Sequence, residues 1–247
     1  MNTTIRLLCT GVLAVSAIAC KKDDAAIKTT SDGETNASAS ADSASARGNA
    51  MVRIVNAGNA GKDIVIQLDG ATLFEGVAAS SVTDYREVAA NLARFAARSP
   101  SASDTTVLAQ NDQVLMDGNR YTVFLISEDL SRSTLRIVKD EVIPDSGKAR
   151  IRVLHAAPGG PELDISITGQ KDKLFSGVNF KSEAGYKDID PAKLALEVRA
   201  KDETKVLLRI PAMELKAGTA TTIVLTGATK LAYFTFTDTM VPAAPKM

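Results

Sequence analysis

Apolar and polar residues alternate with a period of two along most of the chain beyond residue 50. The stretches IVIQLD (64–69) and LALEVR (194–199) place a large apolar residue at every second position, and Gly, Asn, Asp or Pro interrupts the pattern about every ten residues. Such alternation is typical of short antiparallel strands with one face turned toward a core. About seven to nine strands in a domain of this size favour a β-sandwich.

One segment conflicts with this pattern. REVAANLARFAAR (86–98) is rich in alanine and places Val88, Leu92 and Phe95 at helical spacing, so that local propensity alone predicts a helix. The later segment KDIDPAKLALEVRA (187–200), to which it corresponds, has Pro191 in its middle and then alternates clearly. We therefore predict strands in both segments, with tertiary packing overriding the alanines.

The correspondence between these segments belongs to an internal repeat. Several features occur twice, in the same order and about a hundred residues apart: VRIVNAG (52–58) with IRVLHAA (151–157), LFEGV (73–77) with LFSGV (174–178), Tyr85 with Tyr186, Gly118 with Gly218, and DEVIP (140–144) with DTMVP (238–242). This period suits a whole small domain. The predicted fold is all-β, with two tandem antiparallel β-sandwich domains of the immunoglobulin or transthyretin kind, at 50–145 and 148–247.

The region before the repeat has a different composition. Residues 20–49 consist mostly of Ala, Ser, Thr, Asp and Lys, and Ile27 is their only large aliphatic side chain. A segment with so little apolar surface cannot offset its chain entropy by burial. We expect it to be a disordered tether.

Residues 1–19 have the layout of a secretory signal peptide, with Arg6 before an apolar run and small residues at the end. The apolar run is shorter than the ~20 residues of a membrane-spanning helix. Cys9 lies inside this segment and would be removed with it, which leaves Cys20 without an intrachain disulfide partner. The chain is therefore expected to be exported.

The sequence AIAC (17–20) resembles the lipobox of bacterial lipoproteins, although Ala17 stands where Leu is usual. The resemblance implies that Cys20 carries the lipid and becomes the new N-terminus. Two or three acyl chains hold a protein on a membrane where one does not. Because Lys21 follows rather than Asp, the resemblance implies attachment at the outer membrane or cell surface.

The repeated motifs also resemble the bacterial secreted domain-of-unknown-function family 4397. The resemblance rests on IRVLHAAPGGP (151–161) and VRIVNAGNAG (52–61), on the LFxGV motifs, on the strand ending at Asp69-Gly70, and on Gly118 before YTVFLI. In the second copy, Thr168-Gly169 replaces the Asp-Gly turn. The resemblance covers nearly all of 50–242 and implies a β-sandwich on a secreted or surface protein, without an established activity.

Candidate residues for acid-base chemistry are few. His155 is the only histidine, and Asn56, which cannot exchange protons, occupies its place in the first copy. We therefore predict that His155 hydrogen-bonds the loop after its strand. Two carboxylate pairs have the residue types of a glycosidase or calcium site, Asp188 with Asp190 and Glu128 with Asp129, but acidic residues are ordinary at turns. No nucleophile or phosphate-loop motif is present, and we assign no catalytic residue, metal or cofactor.

Two further pairs of equivalent residues are expected to support the fold. The hydroxyl groups of Tyr85 and Tyr186 are predicted to tie a strand to a nearby loop. Arg53 and Arg152 lie within apolar strands and are predicted either to face solvent or to pair with a carboxylate.

The composition narrows the possible partners. The chain has 29 Lys and Arg against 29 Asp and Glu, evenly interspersed, which argues against a nucleic-acid partner. It contains no Trp, although exposed aromatic platforms are usual in sugar binding.

The leading hypothesis is a lipid-anchored, non-catalytic binding or structural module of the cell envelope. Its partners would be the membrane, through the lipid, and an envelope or extracellular protein or polymer, with edge-strand pairing as one route. The alternative is an enzyme or enzyme subunit, a hydrolase, with a carboxylate site in a cleft between the domains. A third possibility, a carrier of a small ligand between the sheets, requires space that tightly packed sandwich cores rarely leave.

Overall fold

A computed structural model of the chain describes residues 48–58, 63–100, 106–129 and 132–239. The predicted signal peptide, Cys20 and nearly all of the predicted tether lie outside the described residues. All described residues fall within one compact unit, and their regular structure consists of strands. Within these ranges no helix is long and apolar enough to cross a membrane.

The first half of the described chain, residues 49–139, forms two sheets. Its strands are β1 (Asn49–Asn56), β2 (Ile64–Leu68), β3 (Ala71–Val77), β4 (Ser81–Val82), β5 (Arg86–Ala89), β6 (Leu92–Arg98), β7 (Val107–Val114), β8 (Arg120–Ser127) and β9 (Ser133–Lys139). The first inner sheet has the order β4-β1-β8-β9, with β5 also paired to β1, and the first outer sheet has the order β3-β2-β6-β7.

The second half, residues 149–239, repeats this arrangement. Its strands are β10 (Ala149–His155), β11 (Leu163–Ile167), β12 (Lys173–Val178), β13 (Glu183–Ile189), β14 (Ala192–Ala200), β15 (Val206–Leu215), β16 (Thr219–Thr226) and β17 (Ala232–Thr239). The second inner sheet has the order β13-β10-β16-β17 and the second outer sheet the order β12-β11-β14-β15. The prediction of an all-β, sandwich-like fold is confirmed.

One strand pair in each half differs from the predicted antiparallel pattern. β1 pairs with β8 in parallel, and β10 pairs with β16 in parallel. A parallel pair needs a long crossover connection, and here the chain between the paired strands supplies most of the neighbouring outer sheet. Alternation of side chains reports which face is buried but not the direction of the neighbouring strand.

The alanine-rich segment forms strands, as predicted. It contains β5 and β6, and Ala93, Phe95 and Ala97 of β6 point into the core and are fully buried. The small alanine side chains allow Phe95 to fill the space between the sheets. Packing thus decides the conformation where helix propensity alone would not.

A third apolar cluster joins the halves, in addition to one core inside each sandwich. It contains side chains from both inner sheets: Val55, Ala57, Phe124 and Ile126 from the first half, and Leu154, Ala156 and Val224 from the second. Each inner sheet is therefore covered on both faces, which explains why β8 is buried from Tyr121 to Ser127 and β16 along its whole length. The four sheets stack as outer, inner, inner, outer.

Truncation of Phe124, which is fully buried between the halves, tests this packing. We expect Phe124→Ala to lower the free energy of unfolding by about 3–5 kcal/mol, because it leaves a cavity that the rigid inner sheets cannot close. Urea denaturation followed by circular dichroism measures the change. Ile143→Ala is the control, since that side chain is 67% exposed and its loss should change stability by no more than about 0.5 kcal/mol. Equal effects of the two substitutions would contradict the packing.

Candidate functional site

The largest concentration of charged side chains away from solvent lies between the two inner sheets. Arg53 of β1 and Arg152 of β10 point toward the opposite half, on the same strand faces as the apolar cluster between the halves. They are 4% and 0% exposed, so the prediction that they face solvent is wrong. The predicted alternative, pairing with a carboxylate, is confirmed. We call Arg53, Asp140, Arg152 and Asp238 the ion-pair layer.

The pairing in this layer crosses from one half to the other. Arg53 of the first half donates two hydrogen bonds to Asp238 of the second, from Nη1 to Oδ1 at 2.7 Å and from Nη2 to Oδ2 at 2.8 Å. Arg152 of the second half places Nη2 2.7 Å from Oδ1 of Asp140 in the first. Arg53 and Arg152 occupy equivalent positions, and so do the two aspartates. The two ion pairs differ in geometry, since Arg53 makes two hydrogen bonds to Asp238, whereas Nη1 and Nη2 of Arg152 and Oδ1 of Asp140 make no hydrogen bond within the described residues.

Two threonines support the arginines in the same equivalent manner. Arg53 donates from Nε to Thr122 Oγ1 at 2.8 Å, and Arg152 donates from Nε to Thr222 Oγ1 at 2.9 Å. Thr122 lies on β8 and Thr222 on β16, the strands that pair in parallel with those of the arginines. Each guanidinium is thus held from its own half and neutralised by the other half.

The two equivalent tyrosines stack on the arginines but differ in their hydroxyl groups. The Arg53 guanidinium lies 4.4 Å from the ring centre of Tyr85, and that of Arg152 lies 4.5 Å from the ring centre of Tyr186. Tyr85 donates its hydroxyl to Asp140 Oδ2 at 2.8 Å, which confirms the predicted tie between strand and loop. Within the described residues, the buried Tyr186 hydroxyl has no hydrogen-bond partner, so the predicted tie is wrong for Tyr186. Burial raises the pKa of both phenols, which keeps them neutral at physiological pH.

The electrostatics of the layer favour structure over proton transfer. A buried guanidinium without its carboxylate would cost several kcal/mol, whereas the paired charges cancel. Glu183 lies at the margin, with Oε2 3.6 Å from Arg152 Nη1. Burial raises the pKa of this carboxyl, and the charge of Arg152 opposes the rise.

Sequence reasoning missed four members of this cluster, although it carried the signal for them. Asp140 and Asp238 open the repeated DEVIP and DTMVP motifs, and Thr122 and Thr222 follow the repeated glycines at the same spacing. A polar residue retained at the same place in both copies, beside an arginine that is also retained, indicates a shared contact.

His155 serves the loop that follows its strand, as predicted. Its Nδ1 accepts a hydrogen bond from the Ala157 amide at 3.2 Å, which leaves Nε2 to donate to the Pro161 carbonyl at 3.1 Å. Burial lowers the pKa of the imidazole, and the hydrogen bond to Pro161 opposes that effect. Asn56 does the same work in the first half, since its Oδ1 accepts from the Gly58 amide and its Nδ2 donates to the Val77 carbonyl.

A surface hollow of about 380 Å³ lies beside His155. The loop 157–161, Lys205, Leu207 and the loop 227–231 line it. Because both ring nitrogens of His155 are engaged by backbone groups, the imidazole has no free position for a ligand in this hollow. The hollow offers two lysines and apolar walls, without a converging set of polar groups.

The carboxylates of both candidate pairs are engaged by cations. Asp188 receives two hydrogen bonds from Arg150, whereas Asp190 pairs with Lys148 at 2.6 Å. Glu128 pairs with Lys181 and Arg132, and Asp129 pairs with Arg132 at 2.8 Å. Among the described residues, no group of three or more His, Cys, Asp or Glu side chains is arranged to hold a metal ion.

Removal of one partner from the ion-pair layer should destabilise the whole fold. We expect Asp238→Ala to lower the free energy of unfolding by about 3 kcal/mol or more, because Arg53 keeps its buried charge but loses its bidentate partner. Chemical denaturation measures the loss. The double variant Arg53→Met/Asp238→Leu is the matched control, and removal of both charges should recover most of the stability. A single variant as stable as the native chain would contradict the proposed role of the pair.

His155 should give the stability a pH dependence that its counterpart in the first half lacks. Its folded-state pKa is lowered from 6.5, so the unfolded chain takes up a proton that the folded chain excludes, and stability falls as the pH drops below about 6.5. His155→Asn, which copies the residue at position 56, should fold and should remove this slope between about pH 5 and 6.5. Urea denaturation at several pH values measures it. An unchanged slope in the variant would show that other groups cause it.

Comparison with known proteins finds a family model that matches part of the chain. No curated protein matches the chain. Among solved structures, a "putative cell adhesion protein" from Bacteroides ovatus ATCC 8483 is similar with 13% sequence identity and a TM-score of 0.26, over 78% of this chain and 98% of that one. Residues 50–166, which hold β1 to β10 and most of β11, match the family described as "Domain of unknown function (DUF4397)", which confirms the predicted family resemblance for that part of the chain.

Proposed function

We propose that this chain is a lipid-anchored, non-catalytic module of the cell envelope, which acts by contact with a protein or polymer in the envelope or outside the cell. The observation that carries the proposal is the ion-pair layer. At the boundary between the halves, where an enzyme of two such domains would hold its site, the charged side chains are buried and paired with each other.

The hydrolase alternative requires carboxylates that reach a substrate and exchange protons. The Asp140 side chain is fully buried, and the Asp238 side chain is 12% exposed and held by two hydrogen bonds from Arg53. Both carboxylates therefore lack the access that acid-base chemistry needs. This arrangement supports a structural role for the residues at the boundary.

The proposal also includes a second copy of the family's domain in residues 148–247. Its support is the matching order of strands in the two halves, with β4 and β5 in the first half where the second has β13, and the equivalent sequence positions of the residues in the ion-pair layer. Two copies packed through their inner sheets leave the outer sheets and the sheet edges available for contact. A partner would therefore meet the outer faces of the stack.

Attachment to the membrane through Cys20 rests on the sequence AIAC and on the apolar segment before it. Lipidation of a new N-terminal cysteine would place the folded unit outside the cytoplasm. The same reasoning places it at the outer membrane or cell surface, because Lys21 follows the cysteine.

Comparison of the native chain with Cys20→Ala in a bacterial host tests the proposal. We expect the native product to begin at Cys20 with the added mass of a diacylglyceryl group and to remain with the membranes, because two or more acyl chains hold a protein there. The variant should be unacylated and should leave the membrane fraction. Intact mass spectrometry and membrane fractionation measure both properties.

Two results would contradict the proposal. An unacylated, soluble native product would remove the anchor. Hydrolytic turnover by the purified chain would remove the non-catalytic assignment, if it disappears in an Asp140→Asn variant that still folds. Ser133→Ala is the matched control for purification, because the Ser133 hydroxyl bonds to that of Ser127, outside the ion-pair layer.

A further inference from the structure

Three large apolar side chains are exposed together on the first outer sheet. Leu92, Val114 and Met116 are 65%, 55% and 62% exposed, and we call them the apolar patch. Leu92 and Val114 are direct neighbours across β6 and β7. Ala93 and Leu115, beside them in sequence, are buried, so the alternation along each strand turns the patch to the outer face of the stack.

The second half has charged residues at the equivalent positions. Lys193 and Glu214 face each other across β14 and β15 as Leu92 and Val114 do across β6 and β7. Lys216 takes the place of Met116, with its Nζ 3.5 Å from Glu214, and Leu215 is buried like Leu115. The same fold therefore does not need apolar side chains here. Single exposed apolar residues are common on protein surfaces, but two cross-strand neighbours with a third two residues along the chain, in one half alone, indicate an interaction surface.

The apolar patch lies where the N-terminal part of the chain joins the fold. The Gly48 carbonyl accepts a hydrogen bond from the Ala90 amide at 3.0 Å, two residues before Leu92. The Asn49 amide donates to Asp117 Oδ1 at 2.9 Å, next to Met116. The described chain therefore begins beside the patch, at Gly48, on the side of the sequence that leads back to Cys20.

The apolar patch itself carries no charge. Beside it, Arg94 pairs with Asp112 at 3.0 Å on the same two strands, and Asp117 keeps its negative charge and accepts a hydrogen bond from the Asn49 amide. A partner recognised by charge alone would find no side chain of the patch to pair with. The surface instead fits a partner whose recognition is apolar and which does not depend on charge.

We infer that the apolar patch contacts the phospholipid surface that holds the lipid of Cys20, so that the first outer sheet faces the membrane. This inference rests on the proposed lipid anchor. Three side chains alone bind a bilayer weakly, but the anchor keeps the patch at a high effective concentration near it. The contact would orient the stack and leave the charged outer sheet of the second half turned toward partners.

The chain contains no tryptophan, so the fluorescence of a single introduced tryptophan can be measured without a contribution from any other. We would place a single tryptophan in the patch with Met116→Trp, and a matched one at the equivalent position of the second half with Lys216→Trp. Both acylated chains are reconstituted in phosphatidylcholine vesicles with brominated acyl chains, which quench tryptophan that enters the bilayer. The fluorescence of Met116→Trp should fall about twofold or more, and that of Lys216→Trp should not change.

A second set of variants separates the apolar contact from the reporter. The single variant Leu92→Trp carries the tryptophan in the apolar patch. The triple variant adds Val114→Glu and Met116→Lys, so that positions 114 and 116 hold the same residue types as Glu214 and Lys216 in the second half. These substitutions lie on the surface and should leave the unfolding midpoint unchanged. The quenching seen with Leu92→Trp should be lost in the triple variant. In the single variant, the quenching should be the same at low and high salt because the patch carries no charge.

The outcomes separate this inference from the lipid anchor. Suppose that the chains are acylated and bound to vesicles. If Met116→Trp and Lys216→Trp are then both unquenched, or are quenched equally, the inference is overturned and the anchor stands. If the chain proves unacylated, the anchor and this inference are both overturned, because the contact depends on the anchor. A dimer in lipid-free solution that dissociates on Val114→Glu/Met116→Lys would also overturn it, by assigning the patch to a second copy of the chain.

Discussion

The arrangement of the two halves depends on the need of two buried arginines for carboxylates. Arg53 and Arg152 lie in the interior, where an unpaired guanidinium is not tolerated, and the carboxylate closest to each belongs to the other half. The apolar cluster around Phe124 supplies non-directional attraction between the inner sheets. The crossed ion pairs add direction, because the bidentate contact between Arg53 and Asp238 allows little displacement of one sheet over the other.

This constraint determines which surfaces remain for function. The central strands of both inner sheets are covered on each face, so the outer sheets and the edge strands supply the surface that meets solvent. The two outer sheets differ at the pair of positions that holds Leu92 and Val114 in one half and Lys193 and Glu214 in the other. Equivalent folds with different surfaces allow the chain to present one face to an apolar phase and another to an aqueous one.

Much of the fold could be predicted from the residues, for identifiable reasons. Period-two alternation reports burial directly, and Pro191 in the second copy corrected the helical appearance of 86–98 in the first. The parallel pairing of β1 with β8 could not be predicted, because alternation is the same for either strand direction. The burial of Arg53 could not be predicted either, because its strand shows which residues share its face but not what covers that face.

The crossed pairing has a consequence for a single domain of this kind. Each half contributes one arginine and one aspartate, from the same two positions, to the contact. Such a surface is complementary to itself, which is the property of an isologous interface with two-fold symmetry. Each half thus carries both kinds of side chain that the contact needs, so that a self-complementary interface is held within one polypeptide.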